Sequence, residues 1–339
     1  MSSSMKWAVV GASTIAAEWM IPAIRSQGDE VVAILSSSES RGLDYASQHL
    51  IANAYTDLAT LLAEQKPDAV YISTTNELHR DQCIQAAQAG VHVLCEKPLA
   101  LNLDDAVAMV RACEDAGVVM ATNHHLRHAI THQALREQIA SGAVGTPSAA
   151  RVFHAVSLPE HLRGWRINKA DAGGGVVLDI TVHNADTLAF ILGEYPLSVM
   201  AMTQNTGMGE GIEDGAMSVW RFPSGLLAYT HESFATPFAD TGLEVHGDQG
   251  SLVAKGVMTQ QPTGDVWLRN GEGRMRLPLD HHNLYEEGVS QFRQAIFSGS
   301  HPAADGWAGV RSLAVALAVL ASARSGKEEV VDYGAAAPG

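Results

Sequence analysis

The chain has 339 residues, 46% of them apolar and 17% charged, which is enough apolar material for full cores and too little charge for a disordered polypeptide. That length predicts two domains rather than one. A net charge of −15 and a pI near 5.4 exclude nucleic acid and anionic membrane surfaces as partners, because a polyanion would be repelled.

No apolar run of the roughly 20 residues needed to cross a bilayer is expected. The start, MSSSMKWAVVGAS, lacks the pattern of a signal peptide, so the expected location is cytoplasmic. Cys83, Cys95 and Cys113 have no metal-binding spacing, and their odd number fits a reducing compartment, so all three read as structural thiols.

Taken in chain order, Lys6 to Val10 reads as a strand feeding a helix over 14–27. The alternation continues with strand 30–35, helix 41–50, strand 68–73, helix 77–89, strand 92–96, helix 102–116 and strand 118–123. Repeated βα units with continuously apolar strands predict an α/β domain of Rossmann type, a doubly wound parallel sheet over residues 1–123. Beyond it, 148–157, 197–204, 215–222, 225–234, 251–256 and 265–270 read as strands, with Pro223-Ser224-Gly225 as a hairpin turn. Helical patterns at 176–192, 284–298 and 306–324 interrupt them, so residues 124–339 are expected to form an α+β domain with a large, mostly antiparallel open sheet.

Between the first strand and helix stands Gly11-Ala12-Ser13-Thr14-Ile15-Ala16, where dinucleotide folds carry G-x-G-x-x-G or G-x-G-x-x-A. Gly11 suits the tight turn, the helix-opening amides suit a pyrophosphate, and small Ala16 allows close helix–strand packing. Ser13 replaces the middle glycine and adds a hydroxyl for phosphate. The second strand ends in Ser36-Ser37-Ser38, with Arg41 shortly after, where an acid would hold the ribose of NAD. Hydroxyls and a guanidinium there favour a 2′-phosphate, and so NADPH/NADP+.

Glu96-Lys97-Pro98 ends a buried strand at the edge where open α/β sheets bind ligands, and the Lys97 ammonium suits charge developing on a carbonyl oxygen. In the run 173–183, four-residue spacing places Asp179 and His183 on one helix face. Histidine titrates near neutral pH, so His183 is the candidate proton donor, and Asp179 orients it or binds a sugar hydroxyl. The same pair also reads as a simple helix-face hydrogen bond. Asn123, His124, His125 and His128 invite a metal, but they lack a zinc-type ligand spacing, and no metal is expected.

These motifs, in this order over the whole chain, resemble the glucose–fructose oxidoreductase/inositol dehydrogenase (Gfo/Idh/MocA) superfamily. The stretches TTNELHR (74–80), AGVHVLCEKPLA (89–100), TNHHLR (122–127), ARVFHAV (150–156) and GGGVVLDITVHNADTL (173–188) are similar to members that reduce a small cyclic sugar ketone. The resemblance implies NADPH-dependent hydride transfer to C2 of 1,5-anhydro-D-fructose, giving 1,5-anhydro-D-mannitol. It implies Lys97, Asp179 and His183 as catalytic and substrate-binding residues and a cis Lys97–Pro98 bond. Cofactor contacts are implied for Ala12, Ser13, Thr14, Ile15, Ser36, Ser37 and Arg41, and for Thr74, Thr75, Asn76, Glu77, Leu78 and His79. They are also implied for Glu96, Lys97, Asn123, Trp165 and Arg166, with Tyr285 as a ligand-contacting tyrosine. Two rival readings stay open: another sugar or inositol dehydrogenase or a dicarbonyl reductase of the superfamily, and a non-catalytic NADP-binding sensor. The oligomeric state is open as well.

Overall fold

The computed structural model describes residues 4–209 and 211–338, and the chain divides into two compact units. The first comprises Met1–His124 and Tyr285–Val310. Its strands are β1 (Lys6–Val10), β2 (Glu30–Leu35), β3 (Asn53–Tyr55), β4 (Ala69–Ile72), β5 (His92–Cys95) and β6 (Met120–Thr122). Its helices include α1 (Ile21–Ser26), α2 (Glu39–Gln48), α3 (Leu58–Gln65), α4 (His79–Gln88) and α5 (Leu103–Asp115). The six strands form one parallel sheet in the order β3-β2-β1-β4-β5-β6. Every residue of β4 and four of five in β1 are buried, as a sheet covered on both faces requires. The sequence reading missed β3 and α3. Asn53-Ala54-Tyr55 is a half-buried edge strand too short and polar to register as apolar, and α3 announces itself chiefly through its cap, Asp57 accepting from the Thr60 amide at 2.7 Å.

The second unit comprises His125–Leu284 and Arg311–Gly339. It contains helices α6 (Ile130–Ala140), α7 (Glu160–Asn168) and α8 (Val182–Leu192). Its strands are β7 (Pro147–Ala155), β8 (Ser198–Gln204), β9 (Gly215–Arg221), β10 (Leu227–Ser233), β11 (Gly242–Gly247), β12 (Gly250–Lys255), β13 (Asp265–Asn270), β14 (Gly273–Arg276) and β15 (Glu329–Val330). They pair in the order β14-β13-β12-β11-β7-β10-β9-β8-β15, antiparallel except between β7 and β10. In β9 and β10 buried and exposed residues alternate, the mark of a sheet covered on one face. Phe222, Ser224 and Gly225 close the expected hairpin, the Gly225 amide donating to the Phe222 carbonyl at 3.0 Å.

Two late helices, α9 (Leu284–Ser298) and α10 (Gly306–Ser325), lie between β14 and β15 in sequence. Sequence reading put a single border at 123/124, yet Tyr285–Val310 belongs to the first unit. Phe292 lies 5.5 Å from Trp7, ring to ring. Arg293 pairs with Asp29, which also accepts from Trp7 Nε1 at 2.9 Å and from the Met5 amide at 2.8 Å. Such contacts join residues remote in sequence, and no local periodicity announces them.

The expectation that no stretch could span a bilayer is also corrected. Residues 170–192 and 306–325 are long and apolar enough by composition, but most of each is buried inside the protein, as core helices are.

Candidate active site

The turn after β1 is built as a dinucleotide cradle. Gly11 has φ +112, and a Cβ there would stand 2.9 Å from both the Ser73 carbonyl carbon and the Thr74 amide, so the turn closes only on glycine. Thr14 and Ile15 open the following helix, whose first N–H groups have no intrahelical carbonyl to reach. That helix begins as a π turn, Ala16–Met20, before α1, and Ala16 is fully buried. Ser13 differs from expectation: its Oγ lies 2.7 Å from Ser73 Oγ and accepts from the Ala16 amide at 3.2 Å, so the hydroxyl is engaged within the protein. Arg41 Nη2 donates to the Ala12 carbonyl at 2.7 Å, which brings the guanidinium to the glycine turn. Ser36, at the tip of β2, is 95% buried by its 5% exposure, and its Oγ has no partner. Ser37 is exposed. A cradle shut to any Cβ, a cation beside it and an orphaned buried hydroxyl at the strand tip together fit a nicotinamide dinucleotide.

At the end of β5, Glu96 Oε1 accepts from Tyr71 Oη and from Asn123 Nδ2, each at 2.5 Å. Burial pushes the Glu96 carboxyl up; these two bonds and the ammonium of Lys97 act against that. Lys97 is half-buried, and the Lys97–Pro98 bond is cis. Tyr285, fully buried, stacks on Trp19 at 5.3 Å and 23°; burial and the negative charge of Glu96 raise its phenol.

In the loop Thr74 to His79, Thr74 Oγ1 donates to Gln82 and Thr75 Oγ1 to Glu77. Asn76 is buried and Leu78 exposed. His79 is fully buried, its ring nitrogens 3.0 Å from the Pro98 carbonyl and 3.2 Å from that of Thr74. It ties the loop to the carbonyl of Pro98, just past the end of β5.

In the second unit, Asp179 falls in a π turn, Val177–Thr181, immediately before α8, and His183 is the second residue of α8. The four-residue spacing therefore spans a π turn and the start of α8 rather than one regular α-helix. Asp179 accepts from Arg166 Nε at 3.3 Å, and the Arg166 guanidinium lies 4.7 Å over the Trp165 ring. The glycines before the turn permit close approach: a Cβ on Gly174 would stand 2.8 Å from the carbonyls of Trp165 and Lys169. The His183 ring packs edge-on to His125 at 5.0 Å and lies 6.1 Å from His154. His154 Nδ1 is 3.1 Å from Asn184 Oδ1, and Asn184 Nδ2 donates to Glu232 Oε1 at 2.7 Å. Glu232 is fully buried, and burial pushes its carboxyl up to about 7.

Sequence reasoning missed Tyr71, Trp19, His154, Asn184 and Glu232. One signal was available: Ala228, Thr230 and Glu232 alternate on the buried face of β10, which puts a carboxylate where an apolar residue belongs.

A parallel sheet in this strand order with a glycine turn after its first strand is the architecture of dinucleotide-binding domains, here joined to a sheet domain carrying an acid and several imidazoles. Residues 5–124 match the family profile described as oxidoreductase family, NAD-binding Rossmann fold, and residues 132–253 match the GFO/IDH/MocA C-terminal domain. The chain belongs to the Gfo/Idh/MocA oxidoreductase family. It is 53% identical over 330 residues to a 1,5-anhydro-D-fructose reductase of Ensifer adhaerens, covering 97% of this chain and 99% of that protein. To a D-xylose 1-dehydrogenase (NADP(+)) 2 of Haloferax volcanii it is 31% identical, covering 97% and 100%. Its fold matches the crystal structure of aldose-aldose oxidoreductase from Caulobacter crescentus complexed with glycerol, with a TM-score of 0.89 at 24% identity over 97% and 100% of the two chains. The chain is thus an oxidoreductase of the kind that acts on sugars with a nicotinamide cofactor.

Proposed function

We propose that this protein reduces 1,5-anhydro-D-fructose at its C2 ketone with NADPH, giving 1,5-anhydro-D-mannitol. The observation that carries the reading is the cluster at the end of β5, where Tyr71 and Asn123 hold Glu96 beside Lys97 at the ligand-binding edge of the sheet. The identity of 53% over nearly the whole chain supports the choice of ketone. Gly11, Ala12, Thr14, Ile15 and Ala16 would cradle the pyrophosphate, and Ser36, Ser37 and Arg41 the 2′-phosphate. Thr74, Thr75, Asn76 and Asn123 would line the nicotinamide half. The bound coenzyme supplies the hydride. Lys97 favours the negative charge that develops on the C2 oxygen, and His183 delivers the proton that completes the alcohol. Asp179, oriented by Arg166, holds a substrate hydroxyl.

The test is NADPH consumption, followed by absorbance, across anhydro-ketoses, osones, inosose-type ketones and simple diketones, with product analysis of the best substrate. Turnover of 1,5-anhydro-D-fructose well above the others, with the mannitol product, is expected. Faster NAD-linked oxidation of a pyranose or inositol, or no turnover of any of them, would overturn the reading.

A further inference from the structure

Glu232 is an expensive residue for the inner face of a sheet. Burying a carboxylate costs several kcal/mol unless a partner compensates it, and among the described residues no lysine or arginine is paired with it. Its neighbour in the parallel β7–β10 register is His154, so carboxylate and imidazole stand side by side beneath α8. Asn184, fully buried in the first turn of α8, bridges them.

The chemistry of the bridge has a direction. Above about pH 7, where Glu232 is ionised, its carboxylate only accepts, so Asn184 must turn its NH2 toward it. Its carbonyl oxygen then faces His154 Nδ1, and a carbonyl accepts only from N–H. His154 is therefore held as the tautomer with the proton on Nδ1, and its Nε2 carries the lone pair. A glutamine at 232 would leave this undetermined, because an amide both donates and accepts and the whole chain of amides could turn over. The ring so fixed lies against His183, tilted 46° to it, with His125 on another side of the same ring.

We propose that Glu232 and Asn184 set the tautomer of His154, and that His154 in that tautomer positions the His183 imidazole; the three are positioning residues for the proton donor. The proposal rests on the reading of His183 as that donor. It identifies a function for a buried carboxylate that neither the cofactor cradle nor the strand-edge cluster uses.

The test uses the full chain labelled with 15N-histidine. Long-range 1H–15N correlation reports the tautomer of each ring, and the His154 signals are those that vanish in H154Q. At pH 8, with Glu232 ionised, wild type should show His154 protonated on Nδ1, and E232Q should show a mixture of tautomers. An Nε2–H tautomer in wild type, or an unchanged tautomer in E232Q, overturns the proposal. Kinetically, H154F should lower kcat by about tenfold or more while NADPH affinity stays within about twofold, a loss smaller than the ~10²-fold or more of removing a proton donor. The double variant H154F/H183A should be no slower than H183A, because His154 acts only through His183. Independent, multiplying losses would overturn the proposal alone. Undiminished turnover in H183A would overturn the proton-donor reading and the proposal with it. If H154F does not fold, H154Q replaces it, since glutamine can still donate to Asn184 without offering an imidazole.

Discussion

Replacing Arg41 by alanine should separate the two coenzymes, and the structure sets how far. One Nη2–H of Arg41 already donates to the Ala12 carbonyl at 2.7 Å, but a guanidinium carries five N–H donors, so that bond anchors the side chain without exhausting it. A charge-assisted bond from the remaining donors to a 2′-phosphate contributes about 1.5–3 kcal/mol, and at an exposed position the lower end applies, which is about tenfold in affinity. The alanine also removes the Ala12 bond, a loss of about 0.5–1.5 kcal/mol that loosens the glycine turn for either coenzyme. NADPH should therefore weaken by both contributions and NADH by the second alone, leaving roughly a tenfold difference between them. Replacing Ser36 by aspartate acts from the other side: a carboxylate at the tip of β2 accepts from a ribose diol and repels a phosphate. Its effect should move preference toward NADH by at least about tenfold. Fluorescence titration of both coenzymes against wild type, R41A and S36D measures all of this. Equal losses for NADPH and NADH in R41A would refute the reasoning, because the arginine would then serve only the turn.

Three further outcomes are expected. In K97M and H183A, kcat/KM should fall by about 10² or more, the scale of a lost electrostatic stabiliser or proton donor, with circular dichroism unchanged; near-wild-type turnover in either would remove that residue from the chemistry. In G11A the new Cβ would meet the Ser73 and Thr74 backbone at 2.9 Å with φ at +112, so stability should drop by about 1–3 kcal/mol and coenzyme affinity with it, read by urea denaturation and titration. The third concerns Glu232, whose carboxyl is pushed up by burial from the ordinary 4.5 to about 7. Between those values the folded state holds a proton that the unfolded state has lost, so this contribution is complete below about pH 4.5 and is lost as pH rises through 7. At about 1.36 kcal/mol per pKa unit, wild type measured against E232Q should lose about 3 kcal/mol between pH 4.5 and pH 8. A difference independent of pH would mean that the carboxyl ionises normally in the folded protein.

The parts of the fold legible in the sequence were those decided locally. β1, its glycine turn and the strand tips could be read because apolar runs, Gly11 and the serines at 36–38 act within a few residues of one another. The doubly wound sheet followed from repetition of that unit. What could not be read depends on register between distant strands. His154 and Glu232 become neighbours only when β7 pairs with β10, and Asn184 joins them only when α8 packs on that face, so each looked like an isolated polar residue. The same holds for Phe292 and Arg293, which reach Trp7 and Asp29 across most of the chain. Asp179 and His183 were legible as residue types at helical spacing, whereas the π turn that carries Asp179 and its bond from Arg166 were not.

At Ser13 the motif's side chain already has partners within the protein. Its hydroxyl sits within one turn of a helix-opening amide and beside a second hydroxyl, and both are partners it reaches without ordering anything else. A phosphate would have to outcompete two bonds already made in the free protein. The groups at this end of the sheet not tied down in that way are the Thr14 and Ile15 amides, the orphaned Ser36 hydroxyl and the further donors of Arg41. Amides bind the pyrophosphate common to both coenzymes and cannot tell them apart. On the proposed reading, discrimination falls to Ser36 and Arg41, so substitutions at those two positions, rather than at Ser13, are expected to decide coenzyme choice.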